Sequence, residues 1–141
     1  MGGYIKNPSY HEVCSGRTGH TETIKITYDK NIISYSQLLE IFFLTHDPTK
    51  LNRQGNDVGT QYRSAVFFEN QSEKKQILES ISIFEKKKIY NESFVTEINK
   101  KIEFYDAETE HHDYYNQNKS QSYCQFVIRP KIKKFENLLN K

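Results

Sequence analysis

Cysteine occurs only twice in this 141-residue sequence, at Cys14 and Cys124, and tryptophan not at all. Two cysteines are too few for the disulfide framework of a small secreted domain. No stretch has the pattern of a signal peptide, and no apolar run approaches the ~20 residues that span a bilayer. A reducing cytoplasm, with no membrane partner, is therefore the expected setting. Charge of one sign is also lacking. Twenty Lys and Arg stand against eighteen Asp and Glu, a net charge of +2, so no basic field argues for a nucleic-acid partner. The lysines are spread through predicted helices and the tail, as on solvated faces. There is no internal repeat and no visible domain boundary, so a single domain over 1–141 is expected, long enough to bury a core. What the sequence does have is aromatic bulk, ten tyrosines and nine phenylalanines, which bury much area per side chain.

Residues 22–28 alternate. Ile24, Ile26 and Tyr28 fall on one face and Thr23, Lys25 and Thr27 on the other, the pattern of a strand with one buried side. Asp29-Lys30-Asn31 is a turn. Ser34 with Gln37 has the capping-box spacing ahead of Leu38, Leu39, Ile41, Phe42 and Phe43, predicting a helix that ends near Thr45, before Pro48. Residues 65–69 predict a short strand. Asn70 with Glu73 then offers an N-cap, and Ile77, Leu78, Ile81 and Phe84 form the apolar stripe of a helix over 71–88. A third strand is expected over 94–98, a helix over 109–117, and a last helix beginning near Pro130 and carrying Ile132, Phe135, Leu138 and Leu139. Residues 1–21 read as an extended loop. Strands alternating with helices point to an α/β or α+β two-layer domain.

Two polar stretches stand out from this frame. Arg53-Gln54-Gly55-Asn56-Asp57-Val58-Gly59-Thr60-Gln61-Tyr62-Arg63-Ser64 connects two apolar segments and is dense in directional hydrogen-bonding groups. Its glycines permit positive φ or close backbone approach. Composition alone divides evenly between a polar turn and a binding loop on a scaffold. The second stretch runs from Gly2 to Glu22 and contains Asn7-Pro8-Ser9-Tyr10, Glu12-Val13-Cys14-Ser15-Gly16 and Gly19-His20-Thr21-Glu22. Two rival constellations can be drawn from these parts. His111-His112-Asp113 with His11 or His20 could ligate a metal, but the spacing matches no recognised zinc pattern, and a solvated helix start is the plainer reading. Cys14, His20 and Asp57 are the residue types of a cysteine hydrolase, with nothing in the sequence to fix their geometry.

The two stretches together, in this order and separation, resemble the class A peptide methionine sulfoxide reductases, with a third, weaker match near the C-terminus. The resemblance covers nearly the whole chain. It implies a two-layer mixed sheet with packed helices, ferredoxin-like, in which this chain lacks an N-terminal central strand and helix. It implies reduction of methionine-S-sulfoxide, free or in proteins, as protein repair under oxidative stress. Thioredoxin would be the reductant; no metal or organic cofactor is implied, and the chain is expected to be a monomer. By this resemblance Glu22 is the proton donor, Tyr10 and Tyr62 hold the sulfoxide oxygen, and Asp57 binds the substrate's backbone amide. Cys124, in Ser-Tyr-Cys-Gln-Phe-Val-Ile, is the candidate resolving thiol, and Cys14 is a structural thiol. Taken singly, each tyrosine would be read as a core aromatic and Glu22 as a strand-end carboxylate. The family's attacking cysteine lies in a Gly-Cys-Phe-Trp-Gly motif upstream of the Gly-Gly-Tyr segment, and that motif is not among these 141 residues. The expectation is accordingly a truncated chain, inactive as written, with a non-catalytic remnant or sulfoxide-binding fragment as the alternative. In a reductase the first four residues should converge on one concave site.

Overall fold

Local capping decides where the helices begin. The computed structural model describes residues 1–139, and side chains of residues 1–137. Ser34 and Gln37 close a reciprocal capping box at the start of helix α2 (Tyr35–Thr45). Asn70 accepts from the Glu73 N–H at the start of α3 (Gln71–Lys86). A second box, Ser9 with Glu12, starts the five-residue helix α1 (Tyr10–Cys14) inside the stretch expected to be loop. The Ser-x-x-Glu spacing was the available signal.

The core joins α2 and α3 to a short sheet. Leu39 and Phe43, one turn apart on α2, meet Ile77 and Phe84 of α3 and Phe68 of β3 (Ala65–Phe68). Phe43, Phe84 and Phe94 pack with ring centroids 5.2–6.1 Å apart. Strand β3 pairs in parallel with β4 (Glu97–Lys100), Ala65 opposite Glu97 and Phe68 opposite Lys100. That strand starts three residues later than 94–98 predicted, because Phe94 turns into the aromatic cluster instead of joining the ladder. Behind the start of β3, His46 faces the Phe42 carbonyl through Nδ1 at 2.5 Å and Ser64 Oγ through Nε2 at 2.7 Å, and Ser64 meets Thr96 Oγ1 at 2.8 Å. A ring nitrogen against a carbonyl must donate, so Nδ1 carries a proton.

A two-stranded antiparallel hairpin, β1 (Arg53–Gln54) with β2 (Asp57–Val58), lies between α2 and β3. Gly55 takes φ +59° at the first central position of its turn, where a side chain would be strained. Gln54 ties the hairpin to the end of α2. Its Oε1 accepts from Asp47 N–H at 3.0 Å and its Nε2 donates to the Asp47 carbonyl at 2.8 Å.

The expected strand over 22–28 does not form. Those residues join no ladder, with Ile24 77% and Ile26 52% exposed. Alternation specifies which face a strand would bury, while forming the strand requires a neighbour, and none among the described residues pairs with it. Mixed helices and small sheets remain the class of the fold.

The chain divides into two compact units, Met1–Tyr105 and Asp106–Lys141. In the second, the helix predicted over 109–117 is split into a 3-10 turn, Thr109–His111, and α4 (Tyr114–Gln117). Between them Asp113 adopts φ +50°, a left-handed conformation that breaks helical hydrogen bonding. A π-helical turn, Cys124–Ile128, leads into α5 (Arg129–Leu139). The predicted burial of Leu138 and Leu139 concerns side chains outside those described. No helix among the described residues is long and apolar enough to cross a membrane.

Candidate active site

Tyr10 and Cys14 stand one turn apart on α1, so both side chains leave the helix on one face. The Tyr10 hydroxyl hydrogen-bonds the Cys14 sulfur, and this bond, then burial, then the nearby Cys14, Glu22 and Tyr62 groups hold the phenol well above its ordinary pKa. Tyr62 ends the 3-10 turn Thr60–Tyr62. Its phenol is also raised, first by burial and then by Glu22, Cys14 and Asp57, with a hydrogen bond from the Gln61 side chain offsetting part of the rise. Four segments, the turn itself included, thus come within electrostatic reach of Tyr62. These are α1 with Tyr10 and Cys14, the chain at Glu22, the hairpin with Asp57, and the turn with Tyr62.

Backbone bonds hold these segments together. Glu22 N–H donates to the Gln61 carbonyl at 2.9 Å, and Thr21 Oγ1 donates to the same carbonyl at 3.0 Å. Gln61 Nε2 donates to the Cys14 carbonyl at 2.9 Å. Arg63 Nη2 donates to the Gly19 carbonyl at 3.1 Å, and its Nε pairs with Glu97 at 3.0 Å. Gly59, at φ +152°, precedes the turn and gives its N–H to Asn52 O at 2.9 Å. That bond fixes the hairpin carrying Asp57 to the turn carrying Tyr62.

The site is an open shelf. Glu22 is exposed, Tyr10 is 37% exposed, and Cys14, Asp57 and Tyr62 are half-buried. The proton donor expected at Glu22 therefore stands in contact with solvent. The two described cavities lie elsewhere. One, about 340 Å³, lies between α2 and α3, and the other, about 360 Å³, is lined by Gly2, Arg63, Phe67, Glu97, Asn99, Lys100 and Ile102.

The rival constellations lose their geometry. His20 is buried, with Nδ1 accepting from Gly3 N–H at 3.1 Å and Nε2 against the Ile5 carbonyl at 2.8 Å. With Nδ1 accepting, Nε2 carries the proton and donates, so neither nitrogen is left to act as a base for Cys14. No group of three or more His, Cys, Asp or Glu among the described residues is gathered for a metal ion. Cys124 is fully buried within the second unit. Cys14, expected as a structural thiol, is hydrogen-bonded to Tyr10. Gln61 is the residue the sequence did not single out, because its central position depends on contacts about forty residues away or more.

A family model described as peptide methionine sulfoxide reductase matches residues 1–141. A peptide methionine sulfoxide reductase MsrA of Saccharolobus solfataricus is 50% identical over 137 residues, covering 97% of this chain and 76% of the relative. One from Leptospira borgpetersenii is 49% identical, covering 94% and 74%. Among solved structures, Mxr1 from Saccharomyces cerevisiae in reduced form matches with TM-score 0.77 and 34% identity, over 83% of this chain and 64% of that one. Methionine sulfoxide reductase A of Corynebacterium diphtheriae matches with TM-score 0.72 and 32% identity, over 86% and 62%. This chain therefore spans about three quarters of those relatives and under two thirds of those solved chains.

Proposed function

The chain belongs to the peptide methionine sulfoxide reductase family, and from that premise we propose that its first unit binds methionine-S-sulfoxide, free or in proteins, for reduction by thiol chemistry. The observation that carries the reading is the meeting of Tyr10, Glu22 and Tyr62 from three separate segments. Two phenols raised in pKa stay protonated; Tyr62 can donate to the sulfoxide oxygen without adding charge, and Tyr10 does so by turning its O–H from the Cys14 sulfur to that oxygen. Glu22 supplies the proton to that oxygen as the S–O bond breaks. Asp57 accepts from the substrate's backbone amide.

The electrons come from a thiolate that attacks the sulfoxide sulfur. Oxygen passes from the substrate to the cysteine sulfur, methionine sulfoxide is reduced by two electrons to methionine, and the attacking cysteine is oxidised to a sulfenic acid. A second thiol then displaces water from it to form a disulfide, which an external dithiol, thioredoxin in this proposal, reduces. The attacking thiol is the cysteine of a Gly-Cys-Phe-Trp-Gly segment, and Cys124 is the second thiol. No metal or organic cofactor enters the scheme. A monomeric protein of the cytoplasm, repairing oxidised proteins as one domain over 1–141, completes the reading.

The test is dithiothreitol-supported reduction of dabsyl-methionine sulfoxide. It compares the 141-residue chain, a form extended upstream with the cysteine motif, and that form with the motif cysteine changed to serine. Turnover only in the extended cysteine form supports the proposal. Turnover by the 141-residue chain that is lost on Cys14→Ser would transfer the attacking role to Cys14. Sulfoxide binding without turnover in every form would favour a binding fragment.

A further inference from the structure

Gln61 has no part in the chemistry above, yet it touches the segments that carry it. We propose that Gln61 is a positioning residue, whose carboxamide pins the end of α1, and with it the Tyr10 hydroxyl and Cys14 sulfur, against Glu22 and Tyr62. What the pinned groups bind rests on the sulfoxide reading; the pin itself does not.

Helix α1 has five residues, none of them buried. A helix this short does not hold itself together, and its last carbonyls lack intrahelical donors. Gln61 Nε2 supplies one, to the Cys14 carbonyl at 2.9 Å. Thr60 Oγ1 adds a bond to the Gly16 carbonyl at 3.3 Å. Gln61 is 6% exposed, so water competes little for its amide, and its Oε1 is buried with no hydrogen-bond partner among the described residues. Only the donor half of the amide is in use, which is not what a packing role would require. Through its backbone the same residue accepts from Glu22 N–H and Thr21 Oγ1. One residue therefore sets α1 through its side chain and Glu22 through its carbonyl, and Tyr62 follows it in the chain. Gly59 makes the arrangement sterically open, since a Cβ there would fall 2.2 Å from Gln61 Oε1.

The test uses the 141-residue chain with Gln61→Ala, Gly59→Ala, their combination, and Gln61→Glu. Two readouts are followed, the rate at which Cys14 reacts with 4,4′-dithiodipyridine and the dissociation constant for methionine-S-sulfoxide. Cys124, fully buried, serves as the slow internal reference. Gln61→Ala and Gly59→Ala should each speed the Cys14 reaction and weaken sulfoxide binding about fivefold, the worth of one hydrogen bond. The combination should add nothing, because both remove one pin. Gln61→Glu keeps the shape and guards against simple misfolding. Its acid donates to the Cys14 carbonyl when protonated and repels it when ionised. Its thiol rate and affinity should match wild type near about pH 5 and depart from it about fivefold near about pH 8. A purely structural loss would not reverse with pH. Cys14 rates within about twofold of wild type in every variant, at both pH values, would overturn the proposal. Absence of sulfoxide binding by the wild type would sink the functional reading instead, and the thiol rates would still decide the pin.

Discussion

Tyr10 and Tyr62 are phenols whose surroundings keep the proton on. For Tyr10 the Cys14 bond leads and for Tyr62 burial does, with Glu22 adding to both. An acid whose pKa is raised remains a donor as pH rises past its ordinary value, here past about 10. Alkaline titration followed by phenolate absorbance should therefore leave a late-ionising fraction in the wild type, which shrinks in Tyr10→Phe. If the two hydroxyls hold the sulfoxide oxygen, Tyr10→Phe and Tyr62→Phe should each lower kcat/KM about tenfold or more in the polypeptide that turns over. Glu22→Gln should cost more, about a hundredfold, chiefly in kcat, because it removes the proton itself. Unchanged kinetics in all three would remove these residues from the chemistry. The pairing of Tyr10 with Cys14 was readable in principle from their i, i+4 spacing once a helix was seen there. The place of Gln61 was not, because a buried amide and an exposed one look alike in a sequence.

Elements here form where capping and a neighbour agree. Ser9 caps a helix too short to stand alone, so Ser9→Ala, worth about 1 kcal/mol at an N-cap, should loosen α1. The loosening should appear as faster Cys14 alkylation with little change in melting temperature, and equal alkylation rates would show that tertiary bonds alone hold α1. Asp47 organises the turn after α2. Burial alone would raise its carboxyl pKa, but hydrogen bonds from Thr49 Oγ1 at 2.6 Å and Thr49 N–H at 3.0 Å, with Lys50 and His46 nearby, bring it below its ordinary value. A depressed carboxylate contributes stability above its unfolded pKa of about 4 and loses it as pH falls through the lower folded value. Thermal melting in Asp47→Asn should differ from wild type near neutral pH, by about 1–2 kcal/mol for the hydrogen bonds affected. The difference should close in strong acid, and one that stayed constant with pH would contradict this account.

At the scale of the whole molecule, stability rests on one aromatic cluster in the first unit. Phe43 is fully buried and packs against Phe84 and Phe94, so Phe43→Ala should cost about 3–5 kcal/mol in denaturant unfolding. Ile24 and Ile26 contribute little to folding in their exposed setting, but exposed apolar side chains on a segment outside any ladder invite association. The double variant Ile24→Thr, Ile26→Thr should melt within about 1 kcal/mol of wild type and scatter less light at high concentration. A large loss of stability would mean that these isoleucines are packed in solution.

The sequence by itself determined what local physics controls. Ser34 with Gln37 and Asn70 with Glu73 started two helices where their spacing said. Of the predicted stripe, Ile77, Ile81 and Phe84 do lie on the packed side of one of them, while Leu78 is 51% exposed; side chains three and four apart share a face whatever lies opposite, and Leu78 sits at its edge. The motif residues were likewise sufficient to indicate the family. Only the tertiary structure decided whether residues 22–28 would become a strand, since a ladder needs a partner that alternation cannot supply. It also decided where β4 begins, since Phe94 gains more by joining Phe43 and Phe84 than by pairing. And it decided that Tyr10, Cys14, Glu22 and Asp57 come within electrostatic reach of Tyr62, through bonds such as Gln61 Nε2 to the Cys14 carbonyl. Bonds spanning more than forty residues leave no periodicity for a linear reading to detect.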